Sequence, residues 1–196
     1  MHQSTFIDML AARHEVPLGA MRALAVLFVT ALTAAAAQIS IPLPFTAVPF
    51  TFQPMVVLLG GLALGAKLGM ASQAAYLLAG IAGLPVFAAS ATLPPGALRL
   101  LGPTGGYLMA YPFAALLVGY LAERGFDRRY LTSVVAMLAG LVVIYACGAV
   151  WLSLSLGAAG ALAAGVYPFI AADVMKVLAA AGVLPGLWTL LGRASR

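Results

Sequence analysis

Hydrophobic runs set off by isolated charges dominate this chain. No Asp, Glu, Lys or Arg falls between Arg22 and Lys67, between Lys67 and Arg99, between Arg99 and Glu123, or between Arg129 and Asp173. A membrane-spanning helix needs about 20 mostly apolar residues, so the longest of these gaps can hold two spans and a connecting loop. The pattern predicts one membrane domain of six helices near residues 20–40, 54–66, 68–84, 104–122, 131–156 and 166–191, behind a short tail over 1–19. The second and third helices are short and meet in a tight turn near Lys67.

Composition makes the class firm. Of 196 residues, 64% are hydrophobic and 8% charged, where a soluble domain carries about 25% charged residues. Such a chain cannot cover a water-facing surface, and the fold class is an all-α integral membrane protein. Net charge is +5, but the basic residues sit at helix ends rather than in a patch for nucleic acid, which excludes that partner. With the N-terminus inside, Arg13, Arg22, Lys67, Arg124, Arg128, Arg129, Arg193 and Arg196 fall on the inner side and only Arg99 on the outer. That asymmetry obeys the positive-inside rule and predicts a multi-pass protein of the inner membrane with both termini cytoplasmic. A cleaved signal peptide over the first apolar run is the weaker reading, because five remaining spans would put the termini on opposite sides.

The outer loops are apolar and rich in proline. In "ISIPLPFTAVPFTFQP", Ile39 to Pro54, the prolines forbid a helix and partial alternation predicts a short extended hairpin. Non-helical backbone at this depth must be buried in protein or line a cavity, so the segment reads as a lid. The second outer loop, Gly83 to Gly106, packs on that lid, and the third, Leu156 to Gly165, is a short Gly-, Ala- and Leu-rich connection.

Within the last apolar run, "VYPFIAADVMKVLAAAGVL", stand Asp173 and Lys176. Residues three and four apart share a helix face, which aligns Phe169, Asp173, Lys176 and Ala180 in one stripe. At 1.5 Å per residue, Lys176 sits about 15 Å below the outer end, near the bilayer centre. An isolated charge there costs about 2.5–3.5 kcal/mol and defaults to function. The pair either locks the bundle or, preferably, lines a pocket open to the outer face, with Lys176 for a carboxylate and Asp173 for N–H groups or for Lys176 itself. Thr46, Thr51 and Gln53 from the lid, with Tyr107, Tyr111, Tyr145 and Trp151, complete a site for a small, partly apolar molecule.

Other chemistry is sparse. The single cysteine, Cys147, reads as a small packing residue in mid-membrane, and His2 and His14 have no partners for a metal. No GxSxG, HExxH or GxxxxGK[ST] occurs, so the chain is not its own ATPase and no cofactor is expected. Small residues four apart, Ala31 with Ala35 and Thr33 with Ala37, suit close helix approach, within the bundle or against a partner membrane protein.

The segments "PLPFTAVPFTFQ", "GLPVFA", "LGPTGGYLMAYP", "YACGAVWL" and "PFIAADVMKVLAA" occur in the same order as in the BioY family, and the chain resembles that family over about residues 20–192. The resemblance implies a six-helix S component of an energy-coupling-factor (ECF) vitamin transporter that binds biotin from outside, beneath its first loop. It also implies a transmembrane coupling protein, met by the Ala31 and Ala35 face, and cytoplasmic ATP-binding-cassette ATPases. By resemblance Asp173 and Lys176 belong to the biotin site, with Phe87 of "GLPVFA" beside them. Relatives follow "GLPVF" with a Gly-rich run where this chain has "AASATLPPGALRL". Arg99 therefore reads as a carboxylate contact or, slightly preferred, an exposed loop charge. The rival readings are an S component for another vitamin, an integral membrane enzyme using Asp173 as acid or base, and a purely structural subunit.

Overall fold

The computed structural model describes residues 5–13, 17–89 and 95–193. Two expectations, on His2 and His14, lie outside the described residues, as does the middle of the second outer loop, 90–94. Among the described residues, eight α-helices form a bundle around the fifth. Among them α1 (Phe6–Arg13) lies inside the stretch read as a tail. Its Phe6 and Ile7 are buried, and Asp8 accepts from both Nε and Nη2 of Arg22.

Helix α2 (Leu18–Gln38) leads to a hairpin in which β1 (Ser40–Ile41) pairs antiparallel with β2 (Phe50–Thr51). Pro54 falls in the first turn of α3 (Gln53–Leu64), where its missing N–H costs nothing and its fixed φ suits the helix. Gly65 then turns the chain at φ +83°, a conformation that a side chain would strain, and α4 (Ala66–Ile81) begins at once. The Glu123 carboxylate reaches back to accept from the Ala66 N–H at 2.9 Å, placing negative charge on the positive end of the helix. With 12 and 16 residues, α3 and α4 are shorter than a full span.

Helix α5 (Gly105–Ala122) is two-thirds buried, packed by α3, α4 and α6. Helix α6 (Tyr130–Gly165) corrects the third outer loop: residues 158–165 are helical, set at an angle to the rest by Gly157 at φ +69°. Its Gly- and Ala-rich composition suggests a loop, but one glycine suffices to bend a helix. The expected last helix is divided into α7 (Tyr167–Ala180) and α8 (Val183–Arg193). Among the described residues, four stretches are long and apolar enough to cross a membrane, namely 18–38, 105–122, 130–165 and 167–190. A total of six spans therefore depends on the short helices α3 and α4.

The core is continuous through Leu58, Leu62, Tyr76, Val118, Met137, Ile144 and Leu184. At one end of the bundle Trp188 of α8 ties three elements together. Its ring meets Phe6 edge-on at 5.5 Å, its indole N–H donates to Asp127 at 2.7 Å, and the Arg128 guanidinium lies 3.5 Å over its centre. Cys147 does not pack in the core; it is exposed on the outside of α6, facing the position lipid would occupy.

Candidate functional site

Beneath the hairpin lies a cavity of about 290 Å³, at the lower limit of small-molecule sites. The hairpin supplies Thr46, Val48 and Thr51, α3 supplies Gln53, and the second outer loop supplies Phe87 and Arg99. Tyr107, Leu108 and Tyr111 come from α5, Ile144 and Tyr145 from α6, and Phe169 and Asp173 from α7. Most of this wall is apolar, so its few polar groups decide what fits.

Asp173 is 6% exposed and accepts two strong bonds. Tyr145 O–H donates to Oδ2 at 2.7 Å, and the Lys176 ammonium donates to Oδ1 at 2.7 Å. The stripe read along α7 is buried throughout, at Phe169, Asp173, Lys176 and Ala180. Yet Lys176 itself stands behind the wall rather than on it. Its Nζ donates to the Thr51 carbonyl at 2.6 Å and lies 3.7 Å from the Phe50 ring centre. The ammonium thereby fastens β2 to α7, a cation held by a carboxylate, a carbonyl and an aromatic face.

A second fastener joins the tip of the hairpin to the α6–α7 corner, where Thr46 O–H donates to the Ala164 carbonyl at 2.7 Å. One residue on, the Gly165 carbonyl accepts from Tyr107 O–H at 2.8 Å. Tyr107 therefore offers the cavity its ring and not its hydroxyl. Gln53 is oriented by Tyr76: its Nε2 donates to the Tyr76 oxygen at 2.7 Å, and Tyr76 O–H donates to the Val86 carbonyl at 3.1 Å. With its amide N–H so engaged, Gln53 has its Oε1 acceptor for a ligand. Phe87 packs edge-on against Tyr76 at 5.4 Å.

Two readings are corrected here. Trp151 is not on the cavity wall; its indole N–H donates to the Gly102 carbonyl at 2.9 Å and anchors the loop before α5. Arg99 is not an exposed loop charge. It is 8% exposed and its side chain lines the cavity, because the 3₁₀ turn Ala97–Leu101 folds inward over α4 and α5. Burial pushes its pKa down, with Tyr76 acting in the opposite direction, and the guanidinium stays cationic. Nothing in the local sequence marks that inward turn. Tyr76, the residue that orients Gln53, was missed for the same reason: it reads as one more aromatic in an apolar helix.

The small-residue pairs of α2 separate cleanly. Ala31 and Ala35 are exposed among Leu24, Leu27, Phe28 and Leu32, whereas Thr33 and Ala37 are buried against the bundle.

The BioY family model matches residues 9–193. The chain belongs to the BioY family. It is 45% identical over 157 residues to the "Probable biotin transporter BioY" of Pyrococcus horikoshii, covering 80% of this chain and 89% of that one. With the "Biotin transporter BioY" of Thermotoga maritima it shares 40% over 153 residues, 78% of this chain and 86% of the relative. Among solved structures, the S-component for biotin from an ECF-type ABC transporter superposes with a TM-score of 0.78 at 27% identity, over 87% of this chain and 92% of the other. The bundle is accordingly an ECF S-component fold, and these BioY relatives are transporters rather than enzymes.

Proposed function

We propose that this chain is the biotin-binding S component of an ECF-type vitamin transporter, a multi-pass membrane protein that takes biotin from the outer side. The observation that carries this is the pairing, on one apolar cavity wall, of a buried guanidinium from the outer loop with a buried carboxylate from α7. Biotin presents the matching set: a carboxylate for Arg99, ureido N–H donors for Asp173 and the Gln53 amide oxygen, and an apolar ring and tail for Phe87, Tyr107, Ile144 and Phe169. Thr46, Thr51 and Tyr145 complete the enclosure. Lys176 acts in the site by holding the hairpin and Asp173 in place, and Trp151 by holding the loop that precedes α5.

The exposed Ala31–Ala35 face of α2 gives a transmembrane coupling protein a surface for close approach, and cytoplasmic ATP-binding-cassette ATPases drive release inside. Biotin is cargo rather than a cofactor. The single domain lies in the inner membrane with both termini cytoplasmic, in keeping with the charge asymmetry of the loops. Titration calorimetry of the detergent-solubilised protein with biotin tests the reading. Saturable one-to-one binding is expected; a folded, monodisperse protein that takes up no biotin would overturn it.

A further inference from the structure

Tyr111 brings to the cavity a hydroxyl that the described residues do not use. It is 4% exposed and lines the cavity from α5. Its ring lies 6.4 Å from that of Tyr76. Its polar neighbours bond to other partners. Tyr76 O–H donates to Val86 and its oxygen accepts from Gln53. One oxygen of Asp173 takes Tyr145 and the other takes Lys176. Tyr107, one helical turn earlier, is spent on Gly165. Among the described residues no hydrogen bond reaches the Tyr111 hydroxyl, in contrast to Tyr76, Tyr107 and Tyr145.

The hydroxyl opens on the cavity rather than into the packed bundle, and phenylalanine would fill the same ring space without offering a donor there. That donor is used when a ligand brings an acceptor. Resting on the biotin reading, the choice of acceptor follows by elimination. The carboxylate belongs with Arg99, the cation on the wall, and the two N–H groups belong with acceptors. One polar atom is left, the ureido oxygen, set between the two N–H groups on the same edge of the ring. Its donor must therefore stand beside the residue that takes an N–H, and Tyr111 shares the wall with Asp173.

We infer that the Tyr111 hydroxyl donates to the ureido oxygen of biotin and so determines selectivity for a cyclic urea over rings that lack a strong acceptor at that position. Asp173 and Tyr111 then read adjacent donor and acceptor atoms of one ring, as an acceptor–donor pair.

The test is a cycle of two proteins and three ligands, with affinities measured by calorimetry in detergent. The proteins are the wild type and Tyr111→Phe; the ligands are biotin, its thione analogue (sulfur for the ureido oxygen) and biotin methyl ester. Losing one such bond, with the ligand acceptor left buried, corresponds to about a 10- to 100-fold weaker affinity. Tyr111→Phe should lose that factor for biotin and for the ester alike, and should no longer distinguish biotin from the thione. Thermal unfolding of the ligand-free variant should be unchanged or higher, which separates the effect from misfolding. Unchanged biotin affinity in Tyr111→Phe overturns the inference while leaving the biotin reading intact. A loss confined to ligands bearing the free carboxylate overturns it too, by moving the contact to the other end of the ligand. If the wild type binds no biotin, the reading fails and the inference falls with it.

Discussion

Replacing Lys176 with methionine separates two roles that a buried lysine in a binding site can have. The side chain keeps its length and loses its charge. Asp173 then keeps the Tyr145 hydroxyl but no cation, and the Thr51 carbonyl loses its donor. At the 2.7 Å separation seen here, unit charges attract by about 6 kcal/mol at an effective dielectric of about 20, before desolvation. Deleting one partner of a buried pair costs about 3–5 kcal/mol, which at this chain length lowers the midpoint of unfolding by about 6–20 °C. The double variant Asp173→Asn, Lys176→Met removes the stranded charge and should recover most of that stability. It should not recover the hairpin fastening, because the bond to the Thr51 carbonyl is still absent. Biotin should therefore leave Lys176→Met and the double variant faster than the wild type, measured by chase of labelled biotin. Biotin methyl ester distinguishes fastening from direct contact. Since Lys176 stands behind the wall, Lys176→Met should weaken biotin and its ester by the same factor. If the variant instead loses only the preference for the free carboxylate, Lys176 touches the ligand and the fastening account is refuted.

Arg99→Gln carries the opposite expectation: the preference for biotin over its methyl ester disappears, at a loss of about 10- to 100-fold in biotin affinity, since charge-assisted bonds contribute about 1.5–3 kcal/mol. Retention of the preference would place the carboxylate elsewhere. Ala31→Leu together with Ala35→Leu should abolish co-purification with the coupling protein while biotin affinity stays within a factor of two or so, because both positions face outward and away from the cavity. Trp151→Phe forfeits one hydrogen bond, about 1 kcal/mol, and should lower thermal stability more than biotin affinity. The Asp8 carboxyl sits below its ordinary value of 3.8: burial raises it, but bonds from Arg22 and Thr5 and the Arg22 charge outweigh that. A depressed carboxylate stabilises above its unfolded value and ceases to as pH falls through the folded one. Protection of α1 from hydrogen exchange should thus be constant from pH 7 to about 5 and decline below pH 4, by less than about 1 kcal/mol because the pair is partly exposed.

Local rules made much of the molecule legible. Long uncharged runs can only be membrane helices, and prolines at 42, 44 and 49 can only be non-helical, so bundle and hairpin follow from composition and covalent geometry alone. The stripe through Asp173 and Lys176 follows from helical period. What period cannot give is which side of a wall a long side chain stands on. Lys176 and Asp173 share a face, yet four carbons carry the ammonium past the cavity to a carbonyl 125 residues away in sequence, a contact created by folding the hairpin down. The same holds for Arg99, whose burial depends on a loop turning inward, and for Trp151, whose indole finds a backbone carbonyl before it finds the cavity. Cys147 and the residues beyond Gly157 mark the other limit. In lipid an apolar residue is equally at home facing in or out, so hydrophobic pattern identified the helices but left their orientation, and the bend in α6, to tertiary packing.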